Sequence, residues 1–271
     1  MIAIIINTHK NKEQVQRLIN RLKHKDIDIF IHADKKFDVS KFTNAKMIKT
    51  RYDIKWGDDS IIKCIISSLK EIHNKKYTHY ILISGQDYPL VSTDKIVKFL
   101  NKNKDKEYLD YVKIGKNKGE WDVSNRYCYY RFSNRILDSI SRRIFNKREI
   151  LKGKPHYAGS LWWMLTNECI EYLISNYNKV SKKLKYTACA DEVIFQTLIC
   201  NSKFKNNIVN NNYRYIDWSA HINGLNNGNP NALTTKDYSK LIKSDKFFAR
   251  KFDFNVDKEI LDMLDKYIDS K

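Results

Sequence analysis

The chain opens on a continuous apolar run, Ile2 to Ile6, that passes directly into the polar Asn7, Thr8 and His9. A run this short, bounded by polar residues, predicts a strand buried on both faces. Val15, Leu18, Ile19 and Leu22 then recur at helical spacing and predict an amphipathic helix. Asp28 to His32 reads as a second strand ending in Ala33-Asp34, Ile61, Ile62, Ile65, Ile66 and Leu69 mark a second helix, and Tyr80 to Ile83 is a third strand. Strand and helix alternate, so the pattern predicts an α/β fold with a Rossmann-like, mostly parallel central sheet and helices on both faces. In such sheets ligands bind beyond the carboxyl ends of the strands, which selects three polar loops: Asn7-Thr8-His9, Asp34-Lys35-Lys36 and Ser84-Gly85-Gln86-Asp87.

Beyond residue 105 the alternation gives way to a basic and aromatic stretch from Arg126 to Arg148, a strand-like Ser160 to Leu165, a helix opening at Asp191 and a basic knot at Phe247 to Phe252. With only 8 Gly and 3 Pro and no repeat or linker-like segment, residues 1–271 read as one domain. Within it, 1–105 reads as a nucleotide-binding half and 106–271 as an acceptor half.

The longest apolar runs, Met1 to Ile6 and Leu161 to Leu165, fall far short of the roughly 20 residues that cross a bilayer. No basic region precedes the first of them, so it reads as a strand rather than a signal peptide, and a cytoplasmic location is expected. Cys64, Cys128, Cys169, Cys189 and Cys200 form an odd set without a C-x-x-C pair, which indicates reduced core residues and neither zinc nor disulfides. The net charge of +19 has two readings. Scattered Lys is one, a solvated surface; attraction to a nucleoside diphosphate, an anionic membrane or nucleic acid is the other.

No P-loop and no G-x-G-x-x-G turn occurs, which argues against those nucleotide folds. The D-x-D at Asp26-Ile27-Asp28 precedes its strand, at the end away from the expected site, and reads as a solvated turn. No metal pair therefore sits where a metal-dependent transferase would keep one.

Six segments carry a resemblance: Ile31-His32-Ala33-Asp34, Trp56-Gly57-Asp58-Asp59-Ser60, Leu82 to Leu90 (L-I-S-G-Q-D-Y-P-L), Gly159-Ser160-Leu161-Trp162-Trp163, Ala190-Asp191-Glu192 and Phe248 to Asp253 (F-A-R-K-F-D). In this order they resemble the signature of the core-2/I-branching β-1,6-N-acetylglucosaminyltransferase family, which also holds peptide O-xylosyltransferases. The resemblance implies a GT-A type fold, a UDP-sugar donor, inversion at the anomeric carbon and no metal requirement. GlcNAc and xylose are the sugars it suggests. Glu192 occupies the position of the family's catalytic base, and Lys251 that of a cation on the leaving diphosphate.

Read physically, Asp191 is a good N-cap for a helix carrying Val193, Ile194, Thr197 and Leu198, which places Glu192 in its first turn. Such a Glu can be a base or simply a capping residue favoured by the helix dipole. Arg250 and Lys251 follow Phe247 and Phe248, which can anchor them while one cation reaches the phosphates. Mammalian relatives place a second basic residue upstream; here Asn227 to Leu233 contains none, and Arg250 is the expected substitute. Asp34 is a candidate for uridine, Trp56 for the uracil ring, and His9 and Asp87 for the same loop layer, each with a structural role as the alternative. For the acceptor the candidates are Trp162, Tyr215, Asp217 and Trp218, since sugars are gripped by aromatic faces and carboxylates. Tyr215 to Trp218 precede a loop at Asn223 to Asn231.

The expected partners are thus a UDP-sugar, a glycan or lipid-linked saccharide acceptor and, peripherally, an anionic membrane. A basic single-strand nucleic-acid binder would explain the charge and the Arg/Tyr interleaving but not the motifs. A non-catalytic sugar-binding adaptor on a transferase fold is the other alternative.

Overall fold

The computed structural model describes residues 1–39, 41–115, 127–132, 134–145, 148–219 and 229–271, without the side chains of Arg135 and Arg142. The Lys116 to Lys118 run, Arg126 and the loop from Asn223 to Gly228 lie outside the described residues.

The elements run β1 (Ile2–Thr8), α1 (Lys12–Arg21), β2 (Ile27–Ala33), β3 (Lys46–Met47), α2 (Ser60–Ile72), β4 (His79–Ser84), β5 (Asp87–Pro89) and α3 (Thr93–Lys102). Then come β6 (Glu107–Leu109), β7 (Val112–Lys113), α4 (Arg135–Ile144), β8 (Tyr157–Ala158), β9 (Trp163–Thr166) and α5 (Asn167–Leu184). The last are α6 (Ile194–Cys200), β10 (Ile208–Val209), β11 (Arg214–Ile216), α7 (Tyr238–Ile242), β12 (Phe248–Arg250) and α8 (Glu259–Asp269).

Two compact units result, one of residues 1–48, 78–104 and 213–271, the other of residues 49–77 and 105–212. The chain passes between them more than once, so they do not follow the halves divided at residue 105. The expected α/β class with a mostly parallel sheet is what the molecule has.

In the first unit β4, β1, β2 and β3 lie side by side and all parallel. Ile2, Ile4, Ile5, Ile6, Ile31, Ile81, Leu82 and Ile83 are at most 1% exposed, which is why these strands read as unbroken apolar runs rather than alternating ones. From α1, Val15, Leu18 and Ile19 are equally buried. A second sheet, β11-β12-β5, pairs β11 with β12 in parallel and β12 with β5 antiparallel.

In the second unit β6 pairs with β10 in parallel and with β9 antiparallel, and β7 pairs with β8. Trp163, Met164 and Leu165 of β9, Leu173 of α5 and Phe195 of α6 are buried. Cys64, Cys169 and Cys200 are buried, as expected of core residues, whereas Cys128 and Cys189 are partly exposed. Among the described residues no helix is long and apolar enough to cross a membrane.

Candidate active site

Thr8 stands opposite Ala33, and Asn7 opposite Ser84, so the loops after β1, β2 and β4 leave the first unit's parallel sheet together. Gly85 makes this close approach possible. Its N donates to Asn7 O at 2.8 Å, and a Cβ there would fall 2.6 Å from Thr8 Oγ1.

Two buried glutamines fasten the carboxyl-terminal segment to this loop. Gln14 Nε2 donates to the carbonyls of Gly85 and Phe252, each at 3.1 Å, and Gln86 Nε2 donates to Phe252 O at 3.2 Å. Phe252 N returns a bond to Gln86 O at 2.9 Å. A buried amide left without such partners costs about 1–3 kcal/mol, so the network sets the register in which Arg250 lies opposite Asp87.

Asp87 is 1% exposed. Its Oδ1 lies 3.3 Å from Arg250 Nε, and its Oδ2 lies 3.5 Å from Arg214 Nη2 and accepts from Ser84 N at 2.7 Å. Burial lowers the pKa of Arg250, and Asp87 opposes that shift. The Asp87 carboxylate thus joins Ser84 N, Arg214 and Arg250 where β12 pairs with β5.

Lys251 ends this segment with its Nζ 3.5 Å from Asn229 Oδ1, the outer limit of a hydrogen bond. Burial lowers its pKa, Arg250 and Lys10 lower it further, and Asp253 opposes them. His9, exposed as a residue, has its pKa lowered by partial desolvation of the ring, then by Lys10 and Lys251, against Asp34 and Asp253. It is mostly neutral at pH 7.

Lys10, Asp34, Lys251 and Asp253 all act electrostatically on His9, which gathers the five into one cluster at the carboxyl ends of β1 and β2. Lys10 Nζ is 2.5 Å from Asp253 Oδ2, and Asn11 Nδ2 donates to the other carboxylate oxygen at 2.9 Å. Burial would raise the Asp253 pKa, but hydrogen bonds from Lys10, Asn255 N and Asn11 hold it below the usual carboxylate value. Asp34 is 4% exposed and accepts from Lys36 N at 2.8 Å, closing the turn after β2. Lys10 was not singled out in the sequence. Its only signal is that it directly follows Asn7-Thr8-His9 at a strand end.

Tyr215 lies in β11, and Asp217 follows it. Asp217 Oδ1 accepts from Ser219 N at 2.9 Å and Oδ2 from Asn231 Nδ2 at 3.0 Å, while Asn231 N donates to Asp217 O at 2.9 Å. The Ser219 bond lowers its pKa, burial opposes, and Asn231 adds to the lowering. Asp217 thus clasps the two ends of the 219–231 segment. Trp218 beside it is 41% exposed.

In the second unit Ala190–Glu192 forms a single 3₁₀ turn, and α6 begins only at Ile194. This corrects the expectation that Asp191 caps a helix with Glu192 in its first turn. Cys189 takes a left-handed conformation, φ 49°, and its N donates to Gly57 O at 2.9 Å. Glu192 N donates back to Cys189 O at 3.1 Å, and Glu192 O accepts from Gly159 N at 2.8 Å. Backbone groups that another helical turn would use are engaged elsewhere.

Gly159 is required there, since a Cβ would stand 1.9 Å from Asp110 O. Gln196 Nε2 donates to Ser160 O at 2.7 Å. The Gly57 and Gly159 segments therefore pin the Glu192 turn through its backbone. Trp56, next to Gly57, is 81% exposed, whereas Trp162 is 8% exposed and packs as a core residue. Trp56 shares a unit with Glu192, and Asp34 shares one with Lys251.

The family model described as Branch: Core-2/I-Branching enzyme matches residues 2–242. Xylosyltransferase 2 of Rattus norvegicus is 25% identical over 297 residues, covering 98% of this chain and 33% of that protein. Xylosyltransferase 1 of Homo sapiens is 26% identical over 297 residues, covering 98% and 30%. The chain spans about a third of the length of these curated relatives. The structure of S. aureus TarS 1-349 shares 13% identity over 69% of this chain and 56% of that one, with a TM-score of 0.34, too slight a likeness to bear on function.

Proposed function

Because the chain belongs to the Core-2/I-branching enzyme family of glycosyltransferases, we propose that it moves a sugar from a UDP-sugar to an acceptor hydroxyl, with inversion and without a metal ion. The observation that carries this reading is the cluster of His9, Lys10, Asp34, Lys251 and Asp253 at the carboxyl ends of parallel strands. A partly buried lysine whose basicity is lowered by burial and by the neighbouring cations Arg250 and Lys10 is the arrangement a dianionic diphosphate would stabilise.

In the proposed reaction the acceptor oxygen attacks the anomeric carbon from the face opposite UDP. The bond from that carbon to the diphosphate breaks, its electron pair leaves on UDP, and the acceptor proton passes to the Glu192 carboxylate. Lys251 and Lys10 meet the charge that grows on the leaving oxygen. Lys10 is the proposed second cation, because its side chain is 36% exposed against 16% for Arg250, whose Nε faces the buried Asp87. Neutral His9 and Asp34 supply hydrogen bonds to the donor, and Trp56, Tyr215 and Trp218 supply aromatic surface for the uracil or the acceptor. GlcNAc and xylose are the sugars to try first, the acceptor being a glycan or lipid-linked saccharide in surface polysaccharide or glycoconjugate synthesis.

Hydrolysis and transfer with a panel of UDP-sugars tests the reading; failure to bind or turn over any of them would leave the adaptor alternative. Turnover should survive excess EDTA, since fixed cations take the place of a metal on the diphosphate. Loss of turnover on chelation, restored by manganese, would refute metal independence.

Replacing Lys10 provides a separate check on the second cation. Lys10→Ala should weaken UDP binding, measured calorimetrically, by about tenfold or more, the scale of a lost charge-assisted hydrogen bond. Lys10→Arg should restore most of it. Unchanged affinity in Lys10→Ala would leave Lys10 as a partner of Asp253 only.

A further inference from the structure

Helix α4 is turned inside out. Ile136 and Ile144 are each 70% exposed, Leu137 53%, Ile140 44% and the following Phe145 51%. At helical spacing the four aliphatic residues form one stripe. The polar side faces the protein instead: Ser141 is 3% exposed and donates through Oγ to Tyr130 O at 3.0 Å. Asp138 accepts from Phe132 N at 3.1 Å and pairs with Arg131 Nη1 at 3.4 Å.

The orientation is held in place by built contacts. Asn134 caps the helix by accepting from Ile136 N and Leu137 N, and Arg148 donates to Tyr129 O, Tyr186 O and Thr187 Oγ1 around it. Nine large hydrophobic side chains are exposed among the described residues, and five of them fall within 136–145. Scattered exposure is ordinary, whereas a contiguous stripe marks a binding surface.

We propose that α4 lays this stripe into the surface of an anionic lipid leaflet. Charge decides between lipid and protein occupants. The helix carries Arg135, Arg142 and Arg143 against the single Asp138, within a chain of net charge +19. Arg143 is exposed and lies three residues from Ile140 and seven from Ile136, along the border of the stripe. A second copy so charged is repelled, while anionic headgroups are attracted, by about fivefold in affinity for each basic residue near the surface. An apolar face bordered by Arg on a helix too short to span is the pattern of an interfacial helix. The inference stands on the construction of α4 and not on the transfer reaction.

Flotation of the full chain with vesicles of phosphatidylcholine, alone or with about one third phosphatidylglycerol, tests it. The parent chain should float with the anionic vesicles. The Ile140→Ser/Ile144→Ser double variant keeps the net charge of +19 and should partition at least about tenfold less. Both side chains are exposed, so the unfolding midpoint and UDP binding should match the parent, which separates this result from any failure of the transferase reading.

Equal flotation of parent and double variant would assign the attraction to scattered lysines and overturn the proposal. So would a parent chain that does not float with anionic vesicles. Self-association without lipid that the double variant abolishes would overturn it as well, since a second copy would then cover the stripe.

Discussion

Glu192→Gln should reduce sugar transfer by about 10² to 10⁴ while leaving UDP-sugar affinity close to that of the parent. Gln keeps the size and hydrogen-bonding capacity of the side chain and removes its basicity. The turn that carries it is held through backbone groups, Glu192 N on Cys189 O and Glu192 O on Gly159 N, so the substitution should not disturb its shape. Rate and affinity then separate, as expected for a group that acts on the acceptor proton and not on the diphosphate. Transfer rates and UDP calorimetry on the same folded preparation decide the matter. Near-normal transfer would remove Glu192 from the role. Asp217 is a poor replacement, because Ser219 and Asn231 donate to its carboxylate and hold its pKa low, which weakens it as a base.

Lys251→Ala should harm both quantities: UDP binding should weaken, and turnover should fall by about 10² or more. A cation on the diphosphate interacts in the bound state and more strongly as the leaving oxygen gains charge. The side chain itself contributes little to folding. Its Nζ makes one long contact to Asn229, while the backbone of the segment is fixed by Leu233 N on Lys251 O and Phe252 N on Gln86 O. If Lys251→Ala bound UDP as tightly as the parent, the Phe247 to Phe252 knot would be structural. Comparison with Lys10→Ala then reports how the phosphate charge is divided between the two lysines.

The strands and their loops were legible because burial on both faces writes itself as an unbroken apolar run, as in Ile2 to Ile6, and a parallel sheet ends its strands on one edge. Other features depended on partners far away in sequence. Asp191 has the chemistry of an N-cap, yet Cys189 binds Gly57 and Glu192 binds Gly159, and these contacts break the helix into a 3₁₀ turn. Arg250 and Lys251 are adjacent cations in the sequence, and only the pairing of β12 with β5 sets Arg250 against Asp87. Lys10 is one of 50 basic residues until folding brings it near Lys251. Helix α4 read as a basic and aromatic stretch, because its apolar stripe follows ordinary helical spacing and says nothing about which side faces the core; Ser141 and Asp138 decide that through bonds to Tyr130 and Phe132. Local pattern determined which segments become strands and which loops they end in, since that depends on each segment's own apolar content. Which charges are free to meet a ligand, and which apolar stripe meets solvent, was decided by tertiary structure, because both depend on contacts between residues remote in the chain.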